Sequence, residues 1–354
     1  MKKDDILFWK DKKVLITGHT GFVGTWMCIV LQRYGANIFG LSLEADKDSL
    51  FEKVKIDLNI KNYYVDLREY ESVKKVLEET KPEIVIHLAA FGFVKECVIE
   101  PFRTYTTNVL GTVNFLEAVN NCEHVKNVLI VSSDKVYRND GTLTEYMFNE
   151  TDALGGLDTY SASKTCEDLV AQSYFDTYLK NKSINLNIVR PGNILGGGDH
   201  IQSRLVPSLL NGFDTGKPIE IRNKSAIRPW QHILDAIDAY LTIIVNSFEE
   251  SGKIGIYNVG PEIDGQMSVG QIFEYLQNKF SDKEAIFEEE TECSVKEAGY
   301  LGISIEKLSD TFLWKPHKNI RDILDDVYDF YIKSKEMPLY DICIEQIEKY
   351  IECL

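Results

Sequence analysis

Short apolar runs alternate with stretches of helical periodicity along the first half of the chain. Residues 12–18 (KKVLITG) form a β-rich apolar run that ends in glycine, and the apolar positions of residues 22–35 then recur at helical spacing. Apolar strands that alternate with helices predict a parallel sheet covered on both faces. The further apolar runs occupy residues 36–43, 62–67, 82–90, 125–133 and 184–193, with helical patterns at 68–80, 108–117 and 160–180.

The pattern changes after Arg190. Residues 191–231 are rich in glycine, turn residues and polar residues, whereas residues 256–260 (IYNVG) resemble one more strand of the sheet. We therefore predict an α/β protein with a Rossmann-like, doubly wound parallel sheet and a smaller, interleaved α/β lobe that binds the substrate. The predicted domains are residues 1–190 and 232–262 for the dinucleotide, and residues 191–231 and 263–354 for the substrate.

The composition describes a folded protein with an anionic surface. Hydrophobic residues make up 44% of the 354 residues, charged residues make up 27%, and the formal net charge is −16. This charge repels phosphate backbones and anionic membranes, so we expect neither nucleic acid nor a membrane as partner. Residues 1–13 lack an apolar core long enough for export, and no run approaches the roughly 20 residues of a membrane span, which predicts a cytoplasmic protein.

Two further features, the C-terminal tail and the cysteines, are predicted to be mainly structural. The tail after Met337 is amphipathic, with its isoleucines near one face, and is predicted to be a packing or oligomer helix rather than a functional one. The cysteines are odd in number and form no CxxC motif, so we expect reduced thiols, most of them structural, and no metal site. The seven cysteines are Cys28, Cys97, Cys122, Cys166, Cys293, Cys343 and Cys353.

A glycine-rich turn joins the first predicted strand to the first helix. Gly18, Gly21 and Gly24 in GHTGFVG allow a tight turn and a close approach of the backbone to a pyrophosphate, whose charge the helix N-terminus meets. At this place in an alternating fold, the triplet predicts a dinucleotide site rather than a merely structural turn. NAD binders usually carry Asp or Glu at the end of the second strand, where this chain has Ser42, with Glu44 two residues further on.

The choice between NAD and NADP depends on a few residues. No arginine lies immediately beside Ser42 in the sequence to receive a 2′-phosphate, which favours NAD. Asp66, after the third strand, is placed either to hydrogen-bond the adenine amino group or to cap the following helix. NAD is therefore the predicted cofactor.

A tyrosine and a lysine form a second candidate site. Tyr160 and Lys164 in TYSASK stand at i and i+4, one above the other on a helix face. An ammonium group near a phenol favours the phenolate and lowers the pKa of the phenol towards the range of a general base. The alternative is an exposed tyrosine with a solvated lysine. The position of the pair, on the helix after the strand that ends at Ser133, favours catalysis.

These motifs, in this order and at these separations, resemble the extended short-chain dehydrogenase/reductase superfamily of nucleotide-sugar enzymes. The resemblance rests on GHTGFVG, HLAA, Asn108, SSDK and YSASK, and covers nearly the whole chain. It implies that Tyr160 is the base, that Lys164 also holds the nicotinamide ribose, and that Ser133 binds the sugar hydroxyl being oxidised. It further implies cofactor contacts at Thr20, Phe22, Val23, Leu67, Leu88, Ala89, Ala90 and Asn108.

The two residues after Ser133 separate the chemistries of this superfamily. Simple 4-epimerases carry small or unreactive residues there. The 4,6-dehydratases need a general acid to protonate the oxygen that leaves C6 and a base to remove the C5 proton. Asp134 and Lys135 can supply this acid and base if burial keeps the aspartate protonated and desolvation or a cationic neighbour keeps the lysine neutral. The pair resembles the Asp-Lys of the CDP-glucose 4,6-dehydratases.

Other segments resemble the same family, among them NETDALGGLDTYSASK, RPGNILGGGDH and IRPWQH. Residues 91–93 (Phe-Gly-Phe) depart from the usual Gln-Pro-Leu, and Ser133 replaces the commoner threonine, so the sugar or the nucleotide can differ from CDP-glucose. Arg228 is expected to compensate phosphate charge, the alternative being loop arginines paired with surface acids. The residues implied to contact a nucleotide-diphosphate sugar are Asn193, Arg204, Arg228 and His232.

The resemblance thus implies an NAD-dependent nucleotide-sugar 4,6-dehydratase that forms a homodimer through helices around residues 102–121 and 160–180. Two alternatives stay open. One is a nucleotide-sugar epimerase acting at C2, C4 or C5, since some sugar 2-epimerases carry a lysine at the position of Lys135, although they have Asn in place of Asp134. The other is a cofactor-binding regulator on an inactive dehydrogenase fold, against which the intact catalytic positions argue.

Overall fold

The predicted strands assemble into one parallel sheet. The computed structural model describes residues 3–142, 145–217, 219–221, 223–249, 253–262, 266–280, 287–289 and 298–354. Seven strands lie in the order β3-β2-β1-β4-β5-β6-β7, and every neighbouring pair is parallel, which confirms the Rossmann-like, doubly wound sheet. The strands are β1 Lys13–Thr17, β2 Asn37–Ser42, β3 Ile60–Tyr64, β4 Ile84–His87, β5 Asn127–Val131, β6 Asn185–Pro191 and β7 Ile256–Val259.

Helices cover both faces of this sheet because alternate side chains of each strand point to opposite faces. Val14 of β1 belongs to one buried cluster with Trp26, whereas the next residue, Leu15, belongs to another with Phe115. The helices are α1 Lys3–Phe8, α2 Phe22–Arg33, α3 Leu50–Val54, α4 Tyr70–Thr80, α5 Val94–Ile99, α6 Pro101–Tyr105, α7 Gly111–Asn120, α8 Thr159–Tyr174, α9 Leu205–Thr215, α10 Ile233–Glu249, α11 Val269–Lys279, α12 Glu306–Phe312, α13 Ile320–Lys333 and α14 Leu339–Cys353.

A third apolar cluster lies wholly within the residues predicted for the second lobe. It joins Leu209 of α9, Ile272 of α11 and Leu324 of α13, all of them buried. The predicted boundary residue 263 lies outside the described residues. Short strand pairs complete the architecture: Asn193–Leu195 with Trp230–His232, Ile227–Arg228 with Met267–Ser268, Ile219–Ile221 with Phe287–Glu289, and Met147–Phe148 with Gly302–Ile303.

The C-terminal helix α14 packs against the sheet lobe. Its buried Ile342 and Ile347 join the same cluster as Trp26 of α2. The Tyr350 hydroxyl donates a hydrogen bond to Asp235 Oδ1 at 2.8 Å, near the start of α10. The amphipathic tail is thus a packing helix, and the structure groups it with the sheet rather than with the second lobe.

The described cysteines and helices fit a protein that is folded around buried apolar cores. The described cysteines are all free thiols, and Cys28, Cys97, Cys122 and Cys343 are buried. Cys293 lies outside the described residues. Across the described ranges, no helix combines the length and apolar character that a membrane crossing requires.

Candidate active site

The glycine turn after β1 lies where the strand order of the sheet reverses. Gly18 has a left-handed backbone (φ +71°), and a Cβ on it would come within 2.8 Å of the Ala89 backbone. A Cβ on Gly24 would collide with the Gly18 carbonyl oxygen. Because α2 begins at Phe22, its N-terminal N–H groups face this turn. A close-packed glycine turn at a helix N-terminus and a sheet switch point fits the pyrophosphate of a dinucleotide.

The remaining predicted cofactor positions stand beside this turn. The Ala89 N–H donates to Thr17 Oγ1 at 3.2 Å, which ties the loop after β4 to the end of β1. Ala90, next in that loop, is exposed and accessible to a ligand. The positions that follow β1, β3 and β4 at this edge are Gly21, Phe22, Val23, Leu67, Leu88, Ala89 and Ala90.

Ser42 ends β2, as the sequence predicted. Its hydroxyl lies 2.8 Å from Thr20 Oγ1, and the Thr20 hydroxyl donates to the Leu43 carbonyl oxygen at 3.1 Å. The single Thr20 proton is then used, so Ser42 donates to Thr20 and keeps lone pairs that can accept from a ribose hydroxyl. Glu44 is exposed two residues further on.

Asp66 is held by a neighbouring arginine. Its carboxylate accepts hydrogen bonds from Arg68 Nη2 at 2.6 Å and Arg68 Nε at 3.0 Å, and this contact lowers the pKa of Asp66. Glu69 occupies the N-cap position of α4 without a capping hydrogen bond from its side chain, so Asp66 is not the cap of that helix. A contact with adenine has to share this carboxylate with Arg68, and it stays a prediction.

Asn108 ties the loop after β4 to α8. It is fully buried in a π-helical turn, Thr106–Leu110. Its Oδ1 accepts from the Phe91 N–H at 2.7 Å, and its Nδ2 donates to the Phe91 carbonyl oxygen at 3.0 Å and to Ser163 Oγ at 2.9 Å. Both amide protons and the amide oxygen are engaged within the protein, so Asn108 shapes the loop after β4, and its contact with the cofactor stays a prediction.

A short 3₁₀ helix, Asp134–Val136, follows β5 and carries the predicted acid and base. Ser133 caps it, because its hydroxyl accepts from the Lys135 N–H at 3.2 Å and donates to Asp134 Oδ1 at 3.2 Å. Asp134 is 3% exposed, and its Oδ2 has no hydrogen-bond partner within the described part of the chain. Burial raises the pKa of Asp134 to about 6, against the opposing charges of Lys135 and Arg228. Burial thus shifts this pKa in the direction that a general acid requires.

Tyr160 lies in the first turn of α8 and its phenol hydrogen-bonds the Ser133 hydroxyl. Burial raises the pKa of Tyr160 above its usual value, and the charges of Asp134 and Glu167 add to the shift. The sequence predicted a pKa lowered by Lys164, and the structure shows the opposite direction. The serine, the aspartate and the tyrosine nevertheless meet at one point, as predicted.

The surroundings of Lys164 explain this difference. Its ammonium donates to Glu167 Oε1 at 2.6 Å, to Glu167 Oε2 at 2.7 Å and to the Val131 carbonyl oxygen at 3.0 Å. Both side chains of the pair are buried. The lysine charge is therefore directed at Glu167 rather than at Tyr160. Sequence reasoning missed Glu167, although its i, i+3 spacing from Lys164 was a readable signal.

Two predicted substrate residues, Arg204 and Arg228, lie near the loops that follow β4 and β5. Arg228 is 6% exposed, and its charge acts on Asp134. Arg204 pairs with the buried Asp199 at 2.9 Å, and its guanidinium lies 5.5 Å from the centre of the Phe93 ring. Since Phe93 belongs to the loop after β4, Arg204 links the start of α9 to that loop.

The other two predicted substrate residues differ in position. Asn193 is partly buried, and its N–H donates to the Pro229 carbonyl oxygen at 2.9 Å, close to Arg228 in the chain. His232 is fully buried, its Nδ1 accepts from the Leu234 N–H at 3.2 Å, and burial lowers its pKa to about 4. The ring is enclosed by the protein, and the contact of His232 with substrate stays a prediction.

The model of one known protein family matches most of this chain. Residues 14–260 match the model of the NAD dependent epimerase/dehydratase family. The chain belongs to this family. It is 34% identical to the CDP-glucose 4,6-dehydratase of Salmonella typhimurium over 93% of this chain and 94% of that protein. It is 23% identical to the UDP-glucose 4-epimerase of Mycoplasma genitalium over 90% of this chain and 96% of that protein.

The fold is shared with solved structures of the same kind. One is the dTDP-glucose 4,6-dehydratase DesIV of Streptomyces venezuelae, with a TM-score of 0.79 and 20% identity over 92% of this chain and 99% of that chain. Another is the UDP-glucose 4-epimerase of Thermotoga maritima, with a TM-score of 0.78 and 20% identity over 91% of this chain and 99% of that chain. Dehydratases and epimerases thus share this fold, so the side chains at the site have to separate the two activities.

Proposed function

We propose that this protein catalyses the NAD-dependent 4,6-dehydration of a nucleotide-diphosphate sugar, with CDP-glucose as the first candidate. The observation that carries the proposal is Asp134, a buried carboxyl group beside Ser133 with a raised pKa and an unpaired Oδ2. A simple epimerase has no use for a carboxylic acid at this position, whereas loss of a hydroxyl from C6 needs a proton donor.

Each proton transfer of the proposed reaction is assigned to one residue of the chain. Ser133 orients the O4 hydroxyl, and Tyr160 takes its proton as C4 becomes a ketone. Lys135 removes the C5 proton, which the ketone acidifies, and Asp134 protonates the oxygen as the C6–O bond breaks, so that water leaves. Lys135 returns its proton to C5 when hydride reaches C6, and the proton that Tyr160 took balances, through solvent, the one that Asp134 gave. Arg228 offsets the charge of the substrate phosphates.

NAD, when bound, accepts the hydride from C4 and returns it to C6, so the reaction has no net change of oxidation state. The glycine turn after β1 and the hydroxyl of Ser42 are the proposed contacts of its pyrophosphate and its adenine ribose. Lys164 is the proposed contact of its nicotinamide ribose. The two-lobe division and a cytoplasmic location are part of the same proposal.

Product analysis tests the function. The protein, incubated with CDP-glucose and a catalytic amount of NAD, is expected to give a 4-keto-6-deoxy sugar that is lighter by one water in mass spectrometry. UDP-, dTDP- and GDP-glucose in parallel reactions define the nucleotide preference. Deuterium incorporation from solvent without loss of water indicates an epimerase instead, and an unchanged sugar throughout the panel contradicts the dehydratase proposal.

We also propose a homodimer that pairs the helices around residues 102–121 and 160–180, next to α5. Large apolar side chains are exposed together there, including Phe102 at 81% and Leu169 at 52%. Exposed large apolar side chains on neighbouring helices are typical of an interface. The further exposed apolar residues of this region are Ile99, Tyr105, Leu110 and Tyr178.

A charged residue in this surface is expected to separate the subunits. The unaltered protein should have twice the chain mass of 40.4 kDa in size-exclusion chromatography with light scattering. The variant with Phe102→Asp and Leu169→Asp should elute as a monomer, because two buried carboxylates oppose association. Ile56→Asp, at a site that is 91% exposed outside this region, is the control and should stay dimeric. A dimeric double variant contradicts the assigned interface.

A further inference from the structure

Glu167 is a buried carboxylate that the proposed reaction does not use. It lies one helical turn after Lys164 on α8 and is fully buried, and its two oxygens accept from the Lys164 ammonium at 2.6 Å and 2.7 Å. The Val131 carbonyl oxygen, at 3.0 Å, is the third acceptor. Because an ammonium group has three N–H donors, this arrangement leaves none for a ribose hydroxyl.

We propose that Glu167 holds Lys164 in a resting position and releases it when the nicotinamide ribose of NAD binds, which makes Glu167 a positioning residue. This inference rests on the proposed binding of NAD. A carboxylate binds an ammonium group more strongly than a neutral hydroxyl does. Binding of NAD therefore breaks part of a buried ion pair, and the free energy that this requires weakens the NAD affinity.

The release of Lys164 also changes the general base. The charge on Glu167 raises the pKa of Tyr160, whereas an ammonium group near the phenol lowers it. Transfer of Lys164 from Glu167 to the cofactor therefore favours the phenolate of Tyr160. The base becomes active only when the hydride acceptor is in place.

A carboxylate that loses its lysine partner in a buried position takes up a proton. Burial raises the pKa of Glu167 to about 7 even with Lys164 beside it. The charge of Asp168 on the same helix raises it further, and His87 at the end of β4 is neutral because burial lowers its pKa to about 3. Binding of NAD should thus be coupled to protonation of Glu167.

Calorimetric titration with NAD, after removal of bound nucleotide, tests the coupling between pH 6 and 8. The affinity of the unaltered protein should fall about tenfold over this range, as expected for one group with a pKa near 7 whose protonation accompanies binding. Buffers of different ionisation enthalpy should reveal uptake of close to one proton at pH 8. Glu167→Gln keeps the shape of the side chain and removes its charge. This variant should bind NAD more tightly than the unaltered protein at pH 8, and it should show neither the pH dependence of the affinity nor the proton uptake.

Two further variants isolate the cause. Glu167→Asp keeps the charge and should keep the proton uptake. Glu78→Gln makes the same change in a solvated pair, 3.9 Å from Lys74 on α4, and should titrate like the unaltered protein. An NAD affinity that Glu167→Gln leaves unchanged or weakens overturns the inference alone. If Glu167→Gln fails to fold, the absence of proton uptake by the unaltered protein at pH 8 overturns the inference. The absence of any NAD binding overturns the proposed function as well.

Discussion

Replacement of Asp134 by asparagine is expected to stop the reaction after the first hydride transfer. Asn keeps the shape of the side chain and can accept from the Ser133 hydroxyl, which now contacts Asp134 Oδ1 at 3.2 Å, but it has no carboxylic proton to give. Loss of a general acid typically costs about 10²–10⁴-fold in rate. With CDP-glucose, we expect the absorbance of NADH to rise and persist while water loss slows by this factor.

The pH dependence of the unaltered protein should carry the same signature. Burial raises the pKa of Asp134 to about 6, so the acid is protonated below that pH and becomes ionised as the pH rises through it. The rate of water loss in single turnovers should therefore decrease above about pH 6, and Asp134→Asn should lack this limb. A variant that dehydrates at the unaltered rate contradicts the role of Asp134.

Lys135→Ala is the matched control because it removes the proposed base and leaves the acid. Asp134→Asn should still exchange the C5 proton with deuterium from solvent, since Lys135 remains able to remove it. Lys135→Ala should lose this exchange and still form NADH. If both variants also lose NADH formation, Asp134 and Lys135 support hydride transfer itself, and the separation of steps is wrong.

The parts of the fold that sequence reasoning found are those with strong apolar signals. Every residue of β4 is buried, and its apolar run appears in the sequence without interruption. The edge strand β3 was predicted two to three residues too late. None of its five residues is buried and three of them are exposed, so its apolar signal is weak. The tail pattern predicted that α14 packs, but an amphipathic face does not say which surface it covers.

The site residues also divide into those that the sequence predicts and those that depend on tertiary packing. Ser133, Asp134 and Tyr160 meet because the carboxyl end of β5 and the start of the next helix face one edge of the sheet, which the sequence order alone predicts. The spacing of Lys164 and Glu167 is readable in the sequence, but the burial of that pair and the enclosure of His232 depend on tertiary packing. Polar residues at such positions look the same in the sequence whether they contact a ligand or the protein, so these two assignments needed the structure.

Removal of one charge from the ion pair beneath the catalytic turn is expected to destabilise the whole protein. Arg190 of β6 donates to Asp168 through Nε at 2.8 Å and through Nη2 at 3.0 Å, and both side chains are buried. Arg190 Nη1 also donates to the Tyr137 hydroxyl at 3.1 Å, just after the 3₁₀ helix. Asp168→Asn leaves a buried guanidinium without its counter-charge, a change that typically costs about 3–5 kcal/mol.

Urea denaturation followed by circular dichroism measures this loss as a lower midpoint with an unchanged slope. Glu348→Gln is the control, since it breaks an exposed pair with Arg33 and should change the stability by less than about 1 kcal/mol. A double variant with Asp168→Leu and Arg190→Met should recover part of the loss, because an apolar pair carries no uncompensated charge. Equal midpoints for Asp168→Asn and Glu348→Gln would show that burial does not strengthen the Arg190 pair, because the same chemical change would then cost the same inside the protein and at its surface.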